Sequence, residues 1–178
     1  MKIVIAIDVQ NDFIDGSLGV DKDHVIADKI SEYIRMCRKN GILTIATRDI
    51  HNRNEYPSTL EGKMLPISHC VEGTVGSCLY SPLSFLVDRV FEKRTFMSKD
   101  LGEAVENLVA DYDVKEIEIF GFCTSICVAS NALYLRGLLP NTKITVVENL
   151  CGDTTQSNHE AGLAVMNNCQ IVSKTINV

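Results

Sequence analysis

Three residues of the kinds that hydrolytic chemistry uses stand just past predicted strands: Asp8, Lys93 and Cys127. Cys127 falls in GFCTSIC, after an apolar run and in the first turn of the helix expected to follow. Free backbone N–H groups and the helix dipole at such a place favour a thiolate, and a nearby Lys lowers the thiol pKa further. A thiolate attacks a carbonyl at neutral pH, which a thiol does poorly. The same turn offers N–H donors to a developing oxyanion, and losing one such donor typically costs about 3 kcal/mol of barrier. The competing reading of Cys127 is a small buried hydrophobe. Asp8 ends the run IVIAI. A carboxylate there needs a partner or a task, because burying it alone is costly. It can take the thiol proton and return it to a leaving amine, or it can simply cap a turn in DVQNDF. Lys93 ends VFEK, either pairing with Asp8 or standing solvated at the strand end.

A second constellation is Asp49 and His51 in TRDIH. Two residues apart on extended backbone, they point to one face. His69, from the loop beyond, can add a third ligand. Two His and a carboxylate suit zinc, iron or manganese rather than calcium, although isolated Asp and His are also common on loops. The CxxxC pair Cys123 and Cys127 has no second pair at metal-finger spacing, which disfavours a structural zinc. No Gly-rich phosphate cradle follows any strand; G-S-L-G at 16–19 lacks the required spacing.

These residues are far apart in sequence, so the elements must gather them. Short β-branched runs alternate with helical periodicity, the pattern of an α/β fold with a mainly parallel sheet. Strands are expected at Lys2–Ile7, Ile42–Ala46, Val90–Lys93, Glu116–Gly121, Lys143–Val147 and Gln170–Ser173. The spacing of Ile26, Ile30, Tyr33, Ile34 and Cys37 predicts one helix, closed by Asn40-Gly41. Leu101, Ala104, Val105, Leu108, Val109 and Tyr112 form the apolar stripe of a second. Thr124 is placed to cap a third, stopping near Gly137, and Ser157–Glu160 has capping-box spacing for the last. The long segment 48–81 reads as a functional loop. In open α/β sheets ligands gather at the C-terminal edge, and Asp8, Asp49, His51, Lys93 and Cys123–Cys127 all belong there.

The bulk properties set limits. A chain of 178 residues suits one domain, 1–178, with a single core. With 46% hydrophobic and 22% charged residues it is an ordinary globular composition. A net charge of −6 with scattered basic residues argues against nucleic acid. No apolar run approaches the roughly 18 residues of a membrane span, and the N-terminus reads as a strand rather than a signal peptide. Seven irregularly spaced Cys are expected to be reduced thiols in a cytoplasm.

Taken together, DVQNDF, TRDIH, SHCVEGT, FEKRTF and GFCTSICVASNA resemble, in order, the isochorismatase-like cysteine hydrolases, and their nicotinamidase branch in particular. The resemblance runs from Ile3 to about Val172. It implies a Rossmann-like three-layer fold with a six-stranded sheet flanked by helices. It implies a triad of Asp8, Lys93 and Cys127 that cleaves nicotinamide to nicotinate and ammonia through a thioester, a step in NAD salvage. It further implies a cis peptide between Phe122 and Cys123, an oxyanion hole from the N–H groups of Cys123 and Cys127, and Phe13 lining the substrate pocket. A divalent metal, zinc first and iron or manganese as alternatives, is implied at Asp49, His51 and His69, binding the pyridine nitrogen. Family members often form homo-oligomers.

Three departures stand out. The usual second loop His is missing; Asn54 and Glu55 occupy that region, and Glu61 is the candidate fourth ligand. There is no Trp to face the ring, leaving Met64 or Leu65 to pack there. Ser125 replaces the usual Asp of T-D-x-C, a change expected to affect support of the turn. The alternative within the family is an amidohydrolase acting on another small amide or ureido substrate without a metal. An isochorismatase proper needs no nucleophile, and a binding or redox scaffold would need neither Asp8 nor Lys93.

Overall fold

The computed structural model describes all of residues 1–178. Six strands build one sheet: β1 (Lys2–Ile7), β2 (Leu43–Asp49), β3 (Arg89–Lys93), β4 (Glu116–Phe122), β5 (Lys143–Gly152) and β6 (Val172–Lys174). Their spatial order is β3-β2-β1-β4-β5-β6, and every pairing is parallel. Seven helical segments link them: α1 (Asn11–Ile14), α2 (Val25–Lys39), α3 (Leu60–Met64), α4 (Ser81–Ser84), α5 (Lys99–Asp111), α6 (Ala129–Leu138) and α7 (Gln156–Asn168).

Central strands covered on both faces must be apolar throughout, and β1 and β4 are buried almost end to end. Each fully buried Ile there is worth about 1.5–3 kcal/mol. Helix α2 turns Ala27, Ile30, Ile34 and Cys37 onto the sheet, and the Asp21 carboxylate accepts N–H bonds from Ile26 and Ala27 at its start. The Ser98 hydroxyl caps α5 by accepting from Leu101 N–H. Tyr112 leaves the predicted stripe. It is already extended (φ −131°, ψ 151°) past the helix end and lies 57% exposed.

Other boundaries also differ. Strand β5 runs on to Gly152 through a register shift opposite Ile119–Gly121, where polar Glu148 and Asn149 interrupt its apolar pattern. Helix α7 starts two residues before the expected box, because the Thr155 hydroxyl accepts from Asn158 N–H. Gly137 lies inside α6, which ends at Leu138. Thr124 caps nothing: residues 124–128 form a wide turn ahead of α6, in which Val128 N–H reaches Cys123 O (3.1 Å). The long 48–81 segment is pinned by bridges from His51 to Val71 and from Gln10 to Leu79. No helix is long and apolar enough to cross a membrane.

The strand order reverses between β1 and β4, the position where open α/β sheets leave a crevice. The two strands approach closely there. A Cβ on Gly121 (φ +130°) would sit 2.0 Å from Ile7 O, so only glycine fits immediately before the reactive turn.

Candidate active site and metal centre

The C-terminal edge of the sheet carries one crevice of about 670 Å³, lined among others by Phe13, Asp49, Glu61, His69, Cys123 and Cys127. Asp8 leaves β1 in the left-handed region (φ +50°), a conformation that non-glycine residues adopt rarely and often at functional sites. Its side chain is held by the neighbouring strand. Thr47 Oγ1 on β2 donates to Asp8 Oδ1 (2.7 Å) and accepts from Asp8 N–H. Lys93, the last residue of β3, reaches across β2 to place Nζ 2.7 Å from Asp8 Oδ2, 3.4 Å from Asp49 Oδ1 and 3.5 Å from Cys127 Sγ. The structure therefore brings Asp8, Lys93 and Cys127 together at one point. The Phe122–Cys123 peptide is cis.

Burial raises the Asp8 pKa, with Lys93 opposing and Asp49 adding to the rise. Burial works against the Lys93 charge, but Asp8, Cys127 and Asp49 outweigh it and lift its pKa well above the ordinary value. The expectation for Cys127 is reversed. Burial pushes its thiol well above the ordinary range, Lys93 opposes, and the two carboxylates push it further. A helix start and one Lys are here opposed by the burial of the sulfur and by the charges of Asp8 and Asp49. Cys123 is likewise raised, to about 12, by burial and by Asp153 and Asp8, and all seven cysteines are free.

Next to this triad, four donor atoms converge. His51 Nε2 lies 2.8 Å from Asp49 Oδ2 and 3.8 Å from Glu61 Oε1; His69 Nε2 lies 3.5 Å from the first and 3.6 Å from the second. Tetrahedral zinc with bonds of 2.0–2.1 Å needs ligand atoms about 3.3 Å apart, and these distances bracket that value. His69 Nδ1 donates to Ile67 O (2.9 Å), which turns the Nε2 lone pair inward. His51 Nε2 is buried without a well-oriented hydrogen bond. The N₂O₂ set thus fits a divalent transition metal. Burial opposes the Asp49 charge, but the adjoining His51 and His69 imidazoles, with Lys93, hold its pKa below the usual range. Burial also works against a charge on His69, yet Asp49 and Ile67 O raise it. Tyr56 packs at a tilt against His51 and edge-on against His69 (4.7 and 5.3 Å between centroids), and Phe13 meets His69 edge-on at 6.0 Å.

Three supporting residues were not singled out from the sequence. Buried Gln10 accepts from Asp49 N–H (2.7 Å) and donates to Asp49 O and Ser77 O, tying the metal cluster to β1. Thr47 orients Asp8. Asn131 donates to Cys127 O (2.8 Å) and Phe96 O and accepts from Ser98 N–H, joining the reactive turn to the chain after β3. Only Asn131 carried a local signal, its four-residue helical spacing from Cys127. The others act across strands.

The chain matches the Isochorismatase domain family over residues 2–177. It is 28% identical over 169 residues to the nicotinamidase/pyrazinamidase of Mycobacterium tuberculosis, covering 87% of this chain and 90% of that protein. It is 26% identical over 178 residues to the nicotinamidase of Saccharomyces cerevisiae, covering 75% and 80%. The pyrazinamidase of Pyrococcus horikoshii, solved in complex with zinc, superposes with a TM-score of 0.79 at 24% identity, covering 98% of this chain and 99% of that one. The chain belongs to the isochorismatase family.

Proposed function

We propose that this protein is an amidohydrolase that converts nicotinamide to nicotinate and ammonia. The observation that carries the reading is the meeting of Asp8 and Cys127 within 3.5 Å of the Lys93 ammonium, with Cys127 lining the crevice that Asp49, Glu61 and His69 also line. The neutral Cys127 thiol gives its proton to Asp8 as Sγ attacks the amide carbon. A carboxylate with a raised pKa is the stronger base for that task. Lys93 at 3.5 Å compensates the sulfur charge while it exists. The backbone N–H groups of Cys123 and Cys127 receive the oxyanion. The tetrahedral adduct collapses, the C–N bond breaks, and the proton on Asp8 leaves with ammonia. Water, deprotonated by Asp8, then hydrolyses the thioester and frees Cys127.

Asp49, His51, His69 and Glu61 would hold the divalent metal, with zinc the first choice. Bound there, such an ion would supply a Lewis-acid anchor for the substrate's ring nitrogen. Phe13 lines the same crevice and packs against the His69 ring. Seven free thiols support a reducing, cytoplasmic setting, and the reaction would serve NAD salvage.

The test is ammonia release from nicotinamide by metal-loaded protein, with Cys127→Ala as the control. Turnover by the wild type and none by the variant is expected; no release by the loaded wild type rejects nicotinamide as substrate. One observation favours the second reading, a related amidohydrolase for another small amide. The crevice of about 670 Å³ is walled by Leu60, Met64, Leu65 and Phe96 rather than by a Trp, which leaves space beyond a single pyridine ring.

A further inference from the structure

The turn that carries the reactive sulfur is held from outside by one short stretch of chain, 152–162. Thr124, fully buried between the cis peptide and Cys127, donates its single hydroxyl proton to Gly152 O (3.1 Å). Its Oγ1 also lies 2.8 Å from His159 Nδ1 on α7. A hydroxyl that gives its proton to Gly152 O accepts from His159, and in that arrangement His159 carries a proton on Nδ1. One residue on, Ser125 N–H donates to Asp153 Oδ2 (2.6 Å). Gly162 then packs on the same backbone: a Cβ there would stand 2.7 Å from Ser125 Cα.

From this clamp we infer that His159 is a positioning residue for the reaction, acting through Thr124 to hold the oxyanion turn and the Cys127 sulfur in register with Lys93 and Asp8. It rests on the amidohydrolase reading but not on the identity of the substrate. The imidazole touches no reacting atom. What it fixes is the backbone between Cys123 and Cys127, whose N–H groups must be preformed for the oxyanion rather than reorganise in each turnover.

The experiment compares His159→Ala, His159→Asn, Thr124→Val and Thr124→Ser in the metal-loaded full chain. An Asn amide places a donor where Nδ1 stood. His159→Ala should lower kcat by about 10- to 100-fold, the scale of a small misplacement of reacting groups, with KM within about twofold of wild type. His159→Asn should recover to within about threefold, with an unshifted pH profile. Thr124→Val should fall with His159→Ala, Thr124→Ser should not, and the Val/Ala double variant should be no worse than the poorer single one. An unchanged kcat in His159→Ala, an Asn variant no better than Ala, or additive losses in the double variant would overturn the inference. If His159→Ala does not fold, the Thr124 pair decides the matter alone. Should the wild type release no ammonia from nicotinamide, that reading fails separately. The clamp is then read from alkylation of Cys127 by iodoacetamide, where the same ranking of variants is expected and equal rates refute it.

Discussion

Replacing Lys93 by Met removes the one cation among Asp8, Asp49 and the Cys127 sulfur while nearly preserving its length. At 2.7 Å and an effective dielectric constant near 20, the attraction to Asp8 alone is about 6 kcal/mol. Desolvating two buried ions consumes much of that gain, so the measured loss on removing one partner should be about 3–5 kcal/mol. The loss should depend on pH in a defined direction. Without Lys93, burial and Asp49 raise the folded-state pKa of Asp8 further above its unfolded value near 3.8. A raised folded pKa contributes stability that is complete below the unfolded pKa and is lost as pH rises through the folded one. Wild-type Lys93, itself raised, stays charged throughout the acid and neutral range. The gap between wild type and Lys93→Met should therefore be widest at neutral pH and shrink towards pH 4. Urea denaturation at pH 4.5, 6 and 7.5, with chelator present to keep metal out of the comparison, measures it. The Asp8→Asn/Lys93→Met double variant removes both charges and should recover about 2 kcal/mol or more of the single-variant loss at pH 7.5, with amide hydrolysis absent in both. A gap that is constant with pH, or a double variant less stable than Lys93→Met, would refute the electrostatic account of this site.

Other outcomes follow from the same geometry. Glu61→Gln should weaken metal binding at least tenfold and His51→Ala should abolish it, read as zinc per chain after equilibrium dialysis; full retention in His51→Ala would show that the four donors are not the site. Asp88 accepts from Thr44 N–H and Thr44 Oγ1 and meets Arg38; burial opposes its charge, but these partners hold its pKa below the usual carboxylate range. A depressed pKa gives stability present above the unfolded value and lost as pH falls through the folded one, so Asp88→Asn should cost about 1 kcal/mol at pH 7, discounted for partial exposure, and nothing near pH 2. A loss that persists at pH 2 would assign the effect to packing. Ile5→Ala, at the centre of β1, should cost about 3–4 kcal/mol in denaturant while sparing KM of the folded fraction; a changed KM would mean that the core and the crevice are coupled.

Local pattern was enough for the α/β class, the six strands and the residues past their ends, because strand and helix periods are written in neighbouring residues: IVIAI in β1, or Ala27, Ile30 and Ile34 on α2. The candidate residues Asp8, Lys93 and Cys127, and the proposed ligands Asp49, His51 and His69 with Glu61, were also readable as motifs in order along the chain, and the fold gathers them at one sheet edge. Only the tertiary structure decided how they act. A place before a helix favours ionised Cys127, but desolvation and two carboxylates arriving from other strands push its pKa the other way. Gln10, Thr47 and His159 left no local trace because their partners lie 39, 39 and 35 residues away. Boundaries failed for the same reason: Thr124 has the composition of a cap but spends its hydroxyl on Gly152 and His159, and β5 continues past its apolar run because β4 is there to pair with it.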